Sequence, residues 1–167
     1  MNIEIKKILC PTDFSENAEF ALQYALAIAA MTKAEVELLR VVEPIAYPQA
    51  YEPFDTQFNA AELAMEIEAA MKKELEERVA ALKEEHPNVT GRLATGNPFL
   101  EIIQTARDGG ADLIVMGTHG RTGLAHALMG SVAEKVVRKA PCPVLTVKHP
   151  EHKFVMPGAD EGQGIKG

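Results

Sequence analysis

Glycines at a regular spacing follow an apolar run in the last third of the chain. The pattern is Gly-x2-Gly-x9-Gly-Ser, formed by Gly117, Gly120, Gly130 and Ser131. Glycine lets the backbone approach a ligand closely, and the free amides at the start of a helix donate hydrogen bonds to anions. We therefore expect the amides of Ser131 and Val132, together with the Ser131 hydroxyl, to hold phosphate oxygens. The alternative is a loop that only turns the chain between a strand and a helix.

Three other polar residues of this loop are weaker candidates. Arg121 either reaches a phosphate or is simply solvated, and the sequence favours neither reading. His119 and His126 lie seven residues apart, but no cysteine or second carboxylate stands beside them. We therefore expect no metal bound directly by the protein.

A second candidate segment, Pro11-Thr12-Asp13, follows the first apolar run of the chain. Ligands of open parallel sheets lie at the carboxyl ends of strands, which is where this segment falls. The Asp13 carboxylate can accept hydrogen bonds from ribose hydroxyls. It can also stabilise the start of the next helix near Ser15, and the two roles are compatible.

Size and charge limit the classes of protein to consider. The 167 residues suit one domain, and their net charge of −7 disfavours nucleic acid as a partner but not a single mononucleotide. The longest apolar stretch, at residues 25–31, is too short to cross a membrane, and the N-terminus lacks a secretory signal. We expect a cytoplasmic protein in which Cys10 and Cys142 are small buried residues rather than a disulfide.

Apolar runs alternate with helical patterns along the chain, which predicts parallel strands joined by crossover helices. The expected strands are residues 7–11, 36–42, 89–94, 112–116 and 144–147. The expected helices are residues 15–31, 60–86, 98–108 and 131–139, and the apolar stripe of the second one, from Leu63 to Leu82, is expected to pack in the core. Residues 43–59 are expected to form a mobile loop. Residues 1–148 form the predicted domain, and residues 149–167 a flexible tail.

Three segments resemble the universal stress protein family: CPTDFS at residues 10–15, VMGTHGRTG at 115–123 and APCPVL at 140–145. The resemblance spans about residues 3–148, and the glycine pattern is that of the ATP-binding branch. It implies an α/β fold with three layers, α/β/α, around a five-stranded parallel sheet of order 3-2-1-4-5. This architecture is Rossmann-like and similar to the adenine nucleotide alpha hydrolases.

The resemblance also implies what each site residue binds. ATP, AMP or ADP would be the ligand, possibly together with Mg²⁺ or Mn²⁺. The ribose and adenine would contact Pro11, Thr12, Asp13, Val41, Met116 and Gly117, and the phosphates would contact Gly120, Gly130, Ser131 and Val132. A homodimer would form by pairing of the last strands, through Val144, Leu145, Thr146 and Val147; the alternative is that the tail shields this edge.

Three functions remain open from the sequence. The leading one is a nucleotide-responsive regulatory protein whose state is read by an unknown protein partner in the stress response. The second is a slow ATPase or nucleotidyl transferase. The chain has no Walker-type Gly-Lys-Ser/Thr and no Ser-Gly-Gly-x-Asp-Ser loop, so we assign no catalytic residue. The third is a dimeric scaffold or chaperone that ignores nucleotide.

Overall fold

The computed structural model describes residues 3–44, 60–120 and 129–150. Strands and helices alternate along these residues, as the sequence predicts. They are β1 (Lys7–Thr12), α1 (Glu16–Thr32), β2 (Glu35–Val42), α2 (Ala60–Lys83), β3 (Val89–Thr95), α3 (Pro98–Gly109), β4 (Leu113–Gly117), α4 (Ser131–Lys139) and β5 (Val144–Val147). The end of α2 differs most from the prediction, because the helix stops at Lys83 and only a turn, closed by the His86 amide on the Leu82 carbonyl, leads on to Pro87.

The five strands form one parallel sheet in the order β3-β2-β1-β4-β5. The predicted fold and strand order are therefore confirmed. The chain runs outward from β1 to β3, and then returns to place β4 on the other side of β1. The carboxyl ends of β1 and β4 are thus neighbours at the point where the strand order reverses, and sheets of this class open a ligand crevice there.

Apolar residues on the two faces of the sheet form two separate cores. Successive strand residues point to opposite faces, so Ile8 and Cys10 pack beneath α1 and α2, while Leu9 packs beneath α3 and α4. All three side chains are fully buried. Cys10 and Cys142 are both free thiols, and burial raises the pKa of Cys10 to about 12, so this thiol is an inert core residue.

The apolar stripe of α2 is buried over only part of its length. Leu75 lies in the core and Val79 packs against it, whereas Ile67 and Met71 are half-buried. At about 1.5 Å per residue the 24-residue helix is longer than the seven-residue strand β3, which rises about 3.3 Å per residue. A helix longer than the sheet cannot bury its whole stripe against it, so the expected core packing is seen at Leu75, Val79 and Leu82, toward the C-terminal end of α2.

Two charged side chains are buried in strand β2, whose other buried residues are apolar. Glu37 is 6% exposed and Arg40 is 4% exposed. The Glu37 carboxylate accepts from Arg92 Nε at 2.6 Å, and its other oxygen lies 3.1 Å from Lys7 Nζ. These contacts join β1, β2 and β3 on the face that α3 covers. Arg40 lies near the opposite end of the strand, beside the crevice.

The N-terminus of α1 offers a test of local stability. The Ser15 side chain accepts from the Ala18 amide at 3.3 Å, as predicted for a helix cap. Replacing Ser15 with alanine is expected to lower the free energy of unfolding by about 1 kcal/mol, measured in urea. Ser131→Ala is the matched control, because that serine opens α4 without a side-chain cap bond. Equal losses in the two variants would contradict the capping role.

Candidate functional site

The turn after β1 is held by its own side chains. Thr12 Oγ1 accepts from the Phe14 amide at 3.0 Å, and Asp13 Oδ1 accepts from the Ser15 amide at 3.0 Å. Phe14 adopts a left-handed conformation with φ of 57°. Asp13 therefore has the structural role expected near the start of α1, and its carboxylate lies at the carboxyl edge of the sheet.

The glycine loop after β4 reaches this turn at Gly120. A Cβ added to Gly120 would lie 2.7 Å from Asp13 Oδ2, which is shorter than real Cβ contacts. The residue is exposed, so the close approach does not follow from burial in the core. The two candidate segments from opposite ends of the chain thus form one site, with the Asp13 carboxylate against the Gly120 backbone.

The other two glycines of the pattern allow close backbone packing. A Cβ at Gly117 would lie 3.0 Å from the carbonyl oxygen of Asn17 in α1. A Cβ at Gly130 would lie 3.2 Å from the carbonyl oxygen of Thr118, to which the Gly130 amide donates at 2.7 Å. These contacts give both glycines a structural reason that is independent of any ligand. The same glycines can therefore both turn the chain between a strand and a helix and leave room for a phosphate group.

Helix α4 begins at Ser131, with Gly130 as its N-cap. Gly130 has φ of −69° and ψ of 153°, and it has no side chain to accept a capping hydrogen bond. Ser131 is exposed and Val132 is half-buried, and the first amides of a helix have no partner within it. The acidic residue of this first turn, Glu134, is paired with Arg138 at 3.0 Å, which offsets its charge. The helix start therefore has the donors that a phosphate group requires.

The sheet register places the remaining predicted contacts at the same edge. Thr12, the last residue of β1, is opposite Arg40, so Asp13 follows at the same edge as Val41, which remains in β2 and pairs with Ala94. Met116 is buried in β4, which runs beside β1 and ends at Gly117.

Two predicted positions cannot be compared with the structure. Arg121 and His126 lie outside the described residues, as do residues 45–59 of the expected mobile loop and residues 151–167 of the expected tail.

Sequence reasoning did not single out Thr118, which links several parts of the site. Its amide donates to the carbonyl oxygen of Val147, the last residue of β5, at 3.0 Å. Its own carbonyl accepts from Gly130, and its hydroxyl lies 3.1 Å from His119 Nδ1. Most of these bonds use the backbone, so the residue type carried no signal for them.

The described residues form neither a metal-ligand cluster nor a membrane-spanning helix. Within residues 3–44, 60–120 and 129–150, His, Cys, Asp and Glu side chains do not gather in threes as a metal ion would require. Over the same ranges, every helix is too short or too polar to cross a membrane.

The chain matches known proteins over nearly its whole described length. The model of the universal stress protein family matches residues 4–148. Universal stress protein MJ0577 of Methanocaldococcus jannaschii is 35% identical over 159 residues, covering 89% of this chain and 98% of the relative. Its solved structure superposes with a TM-score of 0.71, covering 88% of this chain and 98% of that chain.

Two further solved structures share the fold. Universal stress protein UspA of Lactobacillus plantarum is 30% identical, with a TM-score of 0.74, covering 87% of this chain and 99% of that one. A universal stress protein of Archaeoglobus fulgidus, solved in complex with dAMP, is 24% identical, with a TM-score of 0.57, covering 87% and 98%. The family match over residues 4–148 and the relative at 35% identity establish that the chain belongs to the universal stress protein family.

Proposed function

We propose that this protein binds ATP in the crevice between β1 and β4 and acts as a nucleotide-responsive regulatory protein. The observation that carries the proposal is the contact between the Asp13 carboxylate and the Gly120 backbone, beside the open start of α4. An acceptor for ribose hydroxyls and donors for phosphates thereby belong to one site. AMP or ADP would use the same contacts with fewer phosphates.

In the proposed complex, each part of the nucleotide has a chemically suited neighbour. Asp13 accepts from the ribose hydroxyls, and the backbone of Val41 meets the adenine edge. Pro11, Thr12, Met116 and Gly117 line the ribose and adenine. The amides of Ser131 and Val132 and the Ser131 hydroxyl donate to the phosphates, and the backbone at Gly120 and Gly130 comes close to them. Arg121 is a further candidate for the phosphates, and Mg²⁺ or Mn²⁺ would accompany them through phosphate oxygens.

The hydrogen bonds of Thr118 favour a regulatory role over a passive scaffold. The Gly130 amide donates to Thr118, and the Thr118 amide donates to Val147 at the end of the edge strand β5. A change at the phosphate end of the crevice is thus connected through one residue, Thr118, to the sheet edge. We propose that this edge, Val144 to Val147, forms a homodimer; Leu145, 36% exposed on it, is available for pairing.

The remaining parts of the proposal concern cellular role. Two free thiols suit a reducing compartment, so we propose that the protein acts in the cytoplasm, with a stress-response partner that reads the occupied state. Hydrolysis of ATP is at most slow, because the glycine loop lacks the lysine that phosphoryl-transfer sites place on the phosphates.

Isothermal titration calorimetry with ATP tests the proposal. Several charge-assisted hydrogen bonds support a dissociation constant on the order of 1 µM for the wild type. Ser131→Ala removes one hydroxyl donor and is expected to weaken ATP about tenfold, since one such bond contributes about 1.5 kcal/mol. Titrations with Mg²⁺ and with EDTA measure the contribution of the cation.

The same samples distinguish the alternatives. Absence of ATP binding by the wild type would remove the proposal and favour a scaffold that ignores nucleotide. Phosphate release followed over hours, with and without Mg²⁺, tests the enzyme reading. Release at many turnovers per minute would contradict a binding protein with at most slow hydrolysis.

A further inference from the structure

We infer that Arg40 is a positioning residue for the nucleoside end of the ligand, acting through the turn that carries Asp13. The inference rests on the proposed function, because it concerns how that site is shaped. Arg40 is 4% exposed although it is charged, and it lies in β2 opposite Thr12 of β1. A buried cation needs specific partners, and the turn supplies two of them, the Thr12 carbonyl and the Phe14 ring.

Arg40 contacts both neighbours of Asp13. Its Nη1 donates to the carbonyl oxygen of Thr12 at 3.4 Å. Its guanidinium carbon lies 5.1 Å from the centre of the Phe14 ring, within the range of a cation–π contact. Thr12 precedes Asp13 and Phe14 follows it, so one planar side chain contacts the backbone on one side of Asp13 and the aromatic ring on the other.

The conformation of Phe14 explains why such support is needed. Its φ of 57° lies in the left-handed region, which bulky residues avoid unless their surroundings hold them there. The Phe14 amide donates to Thr12 Oγ1, and the ring packs at the margin of the core under α1. Without the guanidinium against the ring, the turn can relax toward a commoner backbone conformation, which moves Asp13.

The position of Asp13 is tightly limited on its other side. Its Oδ2 is 2.7 Å from where a Cβ of Gly120 would lie, and its Oδ1 accepts from the Ser15 amide. A carboxylate aimed at two ribose hydroxyls must keep its direction within a narrow range, because hydrogen bonds weaken steeply with misalignment. Arg40 therefore sets the preference for a ribose with hydroxyls, without touching the nucleotide itself.

The test compares ATP with 2′,3′-dideoxyadenosine triphosphate, which lacks both ribose hydroxyls, by calorimetry. The wild type is expected to bind ATP about 100-fold more tightly than the dideoxy analogue, which lacks two charge-assisted hydrogen bonds. Arg40→Met is expected to weaken ATP binding about tenfold, to leave binding of the analogue within about twofold, and so to lower the ratio about tenfold. Arg40→Lys, which keeps a cation and a donor, is expected to retain an intermediate ratio.

Two further variants keep the inference testable. Phe14→Leu removes the ring without changing the buried charge and is expected to lower the ratio as well, even if Arg40→Met fails to fold. Arg92→Met removes an arginine that pairs with Glu37 near the other end of β2, and it is expected to leave the ratio unchanged. An unchanged ratio in both Arg40→Met and Phe14→Leu, with ATP still bound, overturns the inference alone. Absence of ATP binding by the wild type overturns the proposed function and this inference together.

Discussion

Replacing Gly120 with alanine is expected to weaken ATP binding on the order of 100-fold while leaving the fold intact. The added Cβ would lie 2.7 Å from Asp13 Oδ2, so the carboxylate must move. Moving it removes charge-assisted hydrogen bonds to the ribose, each worth about 1.5–3 kcal/mol. Gly120 is exposed, so the methyl group adds no clash in the core. Calorimetry with ATP, beside a urea denaturation curve, measures the two effects separately.

A double-mutant cycle shows whether the effect of Gly120→Ala passes through Asp13. Asp13→Ala alone is expected to weaken ATP binding by a similar factor. The double variant is expected to bind ATP no more weakly than either single variant. Additive losses would mean that the methyl group acts on the phosphates directly rather than on the carboxylate. Unchanged ATP affinity in Gly120→Ala would mean that the site does not depend on this contact.

Much of the architecture follows from local sequence patterns. Strand β4 is one uninterrupted apolar run, and Asn97 followed by Pro98 marks the start of α3, where the Asn97 side chain accepts from two amides. The strand order could not be predicted from local patterns, because pairing between strands that are distant in the sequence leaves no local signature. It came from the family resemblance, and the sheet confirms it.

Site residues could be predicted from the sequence only where the residue type itself carries the chemistry. Glycine spacing and a carboxylate after β1 pointed to the two segments that the structure brings together. The backbone bonds of Thr118 and the contact of Arg40 with Phe14 were not accessible, because they depend on register and on one unusual φ value. The sequence shows that Arg40 is a charged residue among the apolar residues of its strand, but its contacts with the turn are known only from the fold.

The buried carboxylate of Glu37 is expected to contribute more to stability than any surface ion pair. Its side chain is 8% exposed, and it binds Arg92 and Lys7, whose side chains are 52% and 26% exposed. Breaking a buried pair costs about 3–5 kcal/mol, and the exposure of both partners reduces this to about 2 kcal/mol for Glu37→Gln. Glu76→Gln, in an exposed pair with Lys72, is the matched control and is expected to change stability by less than about 0.5 kcal/mol.

The contribution of Glu37 is also expected to depend on pH. Burial alone would raise the pKa of Glu37, but hydrogen bonds from Arg92 and Lys7 and their charges outweigh burial and lower it. A carboxyl whose pKa is lower in the folded state stabilises the fold above its unfolded pKa, about 4.3, and loses this effect as pH falls through the folded pKa. The difference in the free energy of unfolding between wild type and Glu37→Gln is therefore expected to be constant from pH 8 to 6 and to shrink below about pH 4.5. Urea denaturation across this range measures it, and a difference that stays the same from pH 6 to pH 3 would show that the ionised carboxylate is not its source.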